Sequence, residues 1–123
     1  MLDRRHRLTS ATGFATAVRR GRRAGRRTLV VHVHQSPEPG PPLVGFVVGR
    51  AVGNAVTRNS VKRRLRHLAR ERLASLPGSA VLVVRALPPA AAATYAELGS
   101  DLDSALSRLG AAAGTAVPSG TLR

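Results

Sequence analysis

The chain has 123 residues, room for one domain with a modest core and too few for two. Its 20 Lys and Arg face 6 Asp and Glu, a formal net charge of +14 that draws phosphate backbones, and the absence of Cys excludes disulfides and thiolate chemistry. No apolar run nears the roughly 20 residues of a spanning helix, and Met1-Leu2-Asp3-Arg4-Arg5 lacks the apolar core of a signal peptide, so a cytoplasmic nucleic-acid binder with no membrane partner is expected.

The first predicted element is a short helix. Thr9 or Ser10 is placed to cap it, Phe14 and Val18 lie four apart, and Gly21 ends it. Arg19-Arg20-Gly21-Arg22-Arg23-Ala24-Gly25-Arg26-Arg27 reads as a basic linker. Residues 28–34 are β-branched and apolar, a strand that the polar loop 35–42 breaks. Residues 43–48 read as a second strand, expected to form a hairpin with the first. A helix follows from Asn54 or Thr57 to about Leu76, stopped by Pro77-Gly78. Residues 80–85 form a near-continuous apolar run, the signature of a central strand. After Pro88-Pro89, a capping box at Thr94 and Glu97 opens a last helix with Leu98, Leu102, Leu106 and Leu109 on one face, closed by Gly110. Residues 111–123 are small and polar and read as a disordered tail, leaving a domain over 1–110. The order helix, strand, strand, helix, strand, helix is α+β, with a strand–helix–strand unit around the middle helix.

That middle helix carries the chemistry. Arg58, Lys62 and Arg66 recur every four residues, Arg63 and Arg70 extend the same side, and Asn59 places a directional amide among them. Val61, Leu65 and Leu68 give the helix another side to bury. Nine basic residues fall between Arg4 and Arg27 and eight between Arg50 and Arg72, but from Ala86 onward there are two against three acids. Such grouping implies one electropositive face.

Catalytic groups are missing. Glu97, Asp101 and Asp103 cluster near the start of the last helix, where they complement its dipole. His32 and His34 share a strand face but lack a third ligand nearby, so they read as surface residues of an edge strand and not as a metal pair. No serine stands in a nucleophile elbow, and Gly49-Arg50-Ala51-Val52-Gly53 lacks the Lys-Ser/Thr of a P-loop. No catalytic and no metal-binding residue is assigned.

Gly53-Asn54-Ala55-Val56, Arg58-Asn59, Lys62-Arg63 and Arg66 fall in register with the signature of the protein subunit of bacterial ribonuclease P, which this chain resembles over residues 1 to about 110. Arg5-x-Arg7-Leu8 before Phe14 and Gly21-Arg22-Arg23 are similar too. Ser60 departs from the family's second Arg, Arg50 alone keeps a cation before the signature, and Val18 stands where a second Phe is usual. The resemblance implies a subunit of an endoribonuclease whose RNA, holding Mg²⁺, removes the 5′ leader from precursor tRNA. The protein then binds the RNA subunit through Arg50, Asn54, Arg58, Asn59, Lys62, Arg63 and Arg66, broadening substrate use and lowering the Mg²⁺ requirement. It also implies a leader-binding cleft with Phe14, Arg22 and Arg23, a left-handed β-α-β crossover, one protein per RNA, and a monomer when free. A ribosomal-RNA binder shares the charge and size, and a DNA-binding helix shares the stripe. A free-standing nuclease is disfavoured by the missing constellation.

Overall fold

The computed structural model describes residues 6–8 and 11–110. The cap expected at Thr9 or Ser10 and the tail at 111–123 lie outside the described residues. Three helices and four strands follow in the order α1 (Ala11–Arg20), β1 (Arg22–Gly25), β2 (Leu29–Gln35), β3 (Leu43–Val47), α2 (Ala55–Arg72), β4 (Ala80–Ala86) and α3 (Tyr95–Leu109). The fold is α+β, with one mixed sheet in the spatial order β1-β2-β4-β3.

The sheet is organised around β4. Val81, Leu82, Val83 and Val84 are all buried, so both faces of this strand need cover and both of its edges need partners. It pairs antiparallel with β2 and parallel with β3. The hairpin expected between the two earlier strands is therefore wrong: β4 lies between them. The sequence read as a basic linker also holds a strand, since Arg22–Gly25 pairs antiparallel with β2 through a short turn closed by Arg26 N–H on Leu29 O at 2.8 Å. Two consecutive exposed arginines, Arg22 and Arg23, conceal a strand whose one buried side chain is Ala24.

Alternation along the strands divides the sheet into two faces. One face, with Leu29, Val31, Val33, Val44, Leu82 and Val84, packs against Val61, Leu65 and Leu68 of α2 and Leu98, Leu102 and Leu106 of α3 in the main core. The other carries α1, with Leu8, Ala17, Val81 and Val83 buried there and Phe14 and Leu43 packed against them. Two glycines let α1 and the segment after it come this close. A side chain at Gly21 would strike the carbonyls of Ala17 and Val33, and one at Gly45 would overlap the Phe14 ring.

Several helix ends match the sequence reading. Thr94 and Glu97 form the reciprocal capping box of α3, and Gly110 ends it in the left-handed conformation with φ +65°. Asn54 caps α2, its Oδ1 accepting from Thr57 N–H at 2.9 Å. Before it, Gly53 adopts φ +156°, a backbone geometry that disfavours any side chain, and a Cβ there would lie 2.9 Å from Thr57 Cγ2.

Because the Phe14 ring occupies the space of a missing Cβ, Gly45→Ala should overpack the α1–sheet contact and destabilise the fold by about 1–3 kcal/mol. Adding Phe14→Leu to Gly45→Ala should return part of that loss. Denaturant unfolding of the four proteins of the cycle checks this, and strictly additive effects would refute the contact.

Candidate nucleic-acid interface

The outer side of α2 is built by the same periodicity that buries its inner side. Val61, Leu65, Leu68 and Ala69 face the core, which leaves Val56, Asn59, Arg63, His67 and Arg70 exposed along the opposite side. Val56, 79 % exposed, is an apolar side chain standing among polar ones. Lys62 and Arg66 are half-buried on the flank of the helix. Among the described residues, Lys62, Arg63, Arg66 and Arg70 have neither an ion pair nor a side-chain hydrogen bond.

The other cations of this helix are occupied. Arg58 Nε donates to Gly53 O at 3.1 Å and so braces the turn into α2. Arg64 donates to Ala93 O at 3.1 Å, tying α2 to the segment before α3. Arg72 binds the Asp103 carboxylate through two nitrogens, the Nη2 bond at 3.0 Å, and donates to Leu68 O at 2.8 Å. The hydrogen bond to Asp103 raises the Arg72 pKa above its ordinary value. The signature thus divides into two parts. Gly53, Asn54 and Arg58 shape the helix entry, whereas Asn59, Lys62, Arg63 and Arg66 remain available. The structure leaves Asn54 exposed but commits its Oδ1 to capping. Arg50 is exposed on the short turn between β3 and α2.

A second surface lies on the α1 face of the sheet. Cross-strand register sets Arg23 opposite His32, His32 opposite Val83, and Val83 opposite Gly45. The next row on the same face is Gly25, Val30, Arg85 and Val47. Arg23, Gly25, Arg85 and Val47 are exposed, so α1 covers one part of this face and leaves the part at the carboxyl ends of β3 and β4 open. Arg22 does not share it: it stands opposite Val33, on the α3 side, because neighbouring strand residues point to opposite faces. Of the cleft residues expected from sequence, Phe14 and Arg23 share a face and Arg22 does not. Phe14 is half-buried, its ring resting on Gly45. Arg85 was missed, though its place as the polar exception at the end of an apolar strand was the signal that marks it.

His32 corrects another expectation. The strand is internal, flanked by β1 and β4, and His32 is 1 % exposed, with neither ring nitrogen hydrogen-bonded. The edge-strand reading failed with the missed β1. No group of three or more His, Cys, Asp or Glu among the described residues could hold a metal ion. Nor is any described helix long and apolar enough to cross a membrane.

The carboxylates of the last two helices are engaged elsewhere. Asp101 Oδ2 accepts from Thr28 Oγ1–H at 2.7 Å and Thr28 N–H at 3.1 Å, fastening the β1–β2 turn to α3. Glu97 serves the capping box, and Glu71 accepts from the Tyr95 hydroxyl at 3.2 Å. Asp101 and Asp103 thus act as tethers, beyond the helix-dipole role read from sequence.

The sequence matches the family described as Ribonuclease P over residues 2–110. It is 66% identical over 113 residues to the ribonuclease P protein component of a Nocardioides species, covering 90% of this chain and 97% of the relative. The ribonuclease P protein component of Streptomyces avermitilis is 56% identical over 117 residues, covering 89% and 95%. The solved RNase P protein of Staphylococcus aureus superposes with a TM-score of 0.75 at 25% identity, over 82% of this chain and 92% of that one. That of Thermotoga maritima gives 0.71 at 22%, over 81% and 94%, and shows the common fold. The chain belongs to the ribonuclease P protein family.

Burial, reinforced by Arg85 and then Arg23, holds the His32 ring below its ordinary pKa of 6.5. The unfolded chain therefore binds this proton more readily than the folded one. The stability owed to neutral His32 is fully present above the unfolded value and is lost as pH falls below it. Thermal melts from about pH 7.5 down to about 5.5 should fall more steeply for wild type than for His32→Leu. Parallel curves would assign the acid sensitivity to other groups.

Proposed function

We propose that this member of the family is the protein subunit of ribonuclease P, a ribonucleoprotein endoribonuclease that removes the 5′ leader from precursor tRNA. The observation that carries the reading is the separation of paired from unpaired charge. Glu71, Glu97, Asp101 and Asp103 are engaged by the chain itself, whereas Lys62, Arg63, Arg66 and Arg70 are left for phosphates. Condensed counterions released by those contacts drive association with the RNA subunit. Asn59 adds a directional donor and acceptor to the same side, and Arg50 and Asn54 lie at its approach. Val56 offers an apolar contact to a ribose or base.

The open part of the α1 face holds the single-stranded leader, between Arg23 and Arg85 and beside Phe14. Arg22, on the opposite face, contributes to the general field. The chemistry belongs to the RNA and its Mg²⁺, with the ion held mainly by RNA. By neutralising phosphates the protein broadens substrate use and lowers the Mg²⁺ requirement. One protein acts per RNA, as a monomer when free, in the cytoplasm. The crossover through α2 is left-handed in this reading.

Adding the protein to a bacterial ribonuclease P RNA at low Mg²⁺ should restore cleavage of precursor tRNA at the mature 5′ end. The protein without RNA should leave the substrate intact, and RNA-free cleavage at that position would overturn the assignment of the chemistry. Lys62→Ala and Arg63→Ala should each weaken binding to the RNA subunit by roughly 1–3 kcal/mol. Each should also make the salt dependence shallower by about one unit per phosphate contact. Wild-type affinity and salt slope in both variants would reduce the stripe to a solvated face.

A further inference from the structure

Beneath the open sheet face lies a titratable group that the function above does not use. His32 sits in an internal strand, 1 % exposed, with Nδ1 and Nε2 both unbonded. A buried polar group without partners is unfavourable, and a buried imidazolium more so. The surroundings are one-sided. Arg23 stands directly opposite on β1, and Arg85 is one pair along on β4, on the same face. From β2 itself comes His34. α1, which packs over the strand, carries no titratable side chains but Arg19 and Arg20, and the segment beyond β3 brings His6 and Arg7. Glu71, Glu97, Asp101 and Asp103 are engaged on the α2 and α3 side of the sheet, and Glu38 is exposed on the loop after β2. Among the described residues Arg23 and Arg85 have no ion-pair partner.

We infer that RNA binding on this face is linked to proton uptake by His32, so that the single-stranded leader is held more tightly as pH falls through the histidine range. The inference rests on the proposed leader site and adds its regulation. An RNA strand laid between Arg23 and Arg85 brings phosphate charge to a surface that is otherwise wholly cationic. The repulsion that both guanidiniums exert on an imidazolium is then offset, and the ring accepts a proton in the complex that it refuses in the free protein. Linkage makes the effect reciprocal: a complex that binds more protons than its components tightens at lower pH. The RNA need not touch His32, because the ring lies on the same face as Arg23 and Arg85 and charge acts over that short distance. Uptake of one proton bounds the gain at about tenfold in affinity per pH unit.

The test uses the reconstituted holoenzyme with precursor tRNA blocked by a 2′-deoxy cleavage site, and mature tRNA for comparison. The ratio of their affinities isolates the leader and cancels pH effects on the α2 surface. For wild type this ratio should rise several-fold between about pH 7.5 and 6.0 and stay flat for His32→Leu, with folding followed by circular dichroism. Calorimetry on wild type in two buffers of different ionisation enthalpy should show net proton uptake for precursor but not mature tRNA, which needs no variant. A pH-independent ratio in wild type, equal slopes in both proteins, or no leader-dependent proton uptake would each overturn the inference. Arg23→Ala and Arg85→Ala separate it from the site reading. If both leave the ratio unchanged at every pH, the leader does not lie on this face and both fall. If they lower the ratio while His32→Leu does not alter its slope, only the proton linkage falls.

Discussion

Everything in this fold follows from a strand that cannot be left uncovered. Residues 80–84 of β4 are apolar on both faces, so the strand takes the interior of the sheet and requires helices above and below. Parallel pairing with β3 then obliges the chain to cross over between them, and the crossover element is α2. The most basic helix of the chain is therefore held by its apolar side against the main core, with its polar side turned outward. The position of the proposed RNA-facing surface is a by-product of hydrophobic burial.

The opposite face shows how little is needed to leave part of a sheet open. One ten-residue helix covers only part of a four-stranded sheet. It is seated by two places where a side chain is missing, Gly21 against carbonyls of the backbone and Gly45 beneath the Phe14 ring. The closeness of α1 to the sheet is thus set by glycines, whereas the charge of the open part beside it comes from Arg23 and Arg85 at strand positions.

Much of this was legible in the sequence where one physical signal dominated. The α2 periodicity, the capping box at Thr94, the left-handed stop at Gly110 and the apolar β4 each have a single local cause, and each appeared where it was read. What failed depended on distant partners. Arg22–Gly25 has no strand-like composition, and it is ordered by pairing with β2 and by Ala24 fitting the core. Without it, β2 looked like an edge and His32 like a surface residue. Chain adjacency suggested that β2 and β3 pair, but the doubly buried β4 competes better for both. At the site, the arginine stripe was visible while its division was not. That Arg58, Arg64 and Arg72 turn back onto carbonyls and a carboxylate depends on α3 and on the turn at Gly53.

The tethering of Asp101 to Thr28 and of Asp103 to Arg72 has a consequence at a distance. It balances the cations of the α3 side with carboxylates while the outer side of α2 stays cationic, which gives the protein a permanent polarity. At physiological ionic strength such fields act over about 8 Å, a few water layers beyond the surface. A polyanion within that range exerts a torque before any contact forms, turning the near-neutral side away and the cationic side inward. Fewer encounters are then wasted on the wrong orientation. By the same field, the two carboxylates that stitch the fold together act as a rudder for its approach to a polyanion.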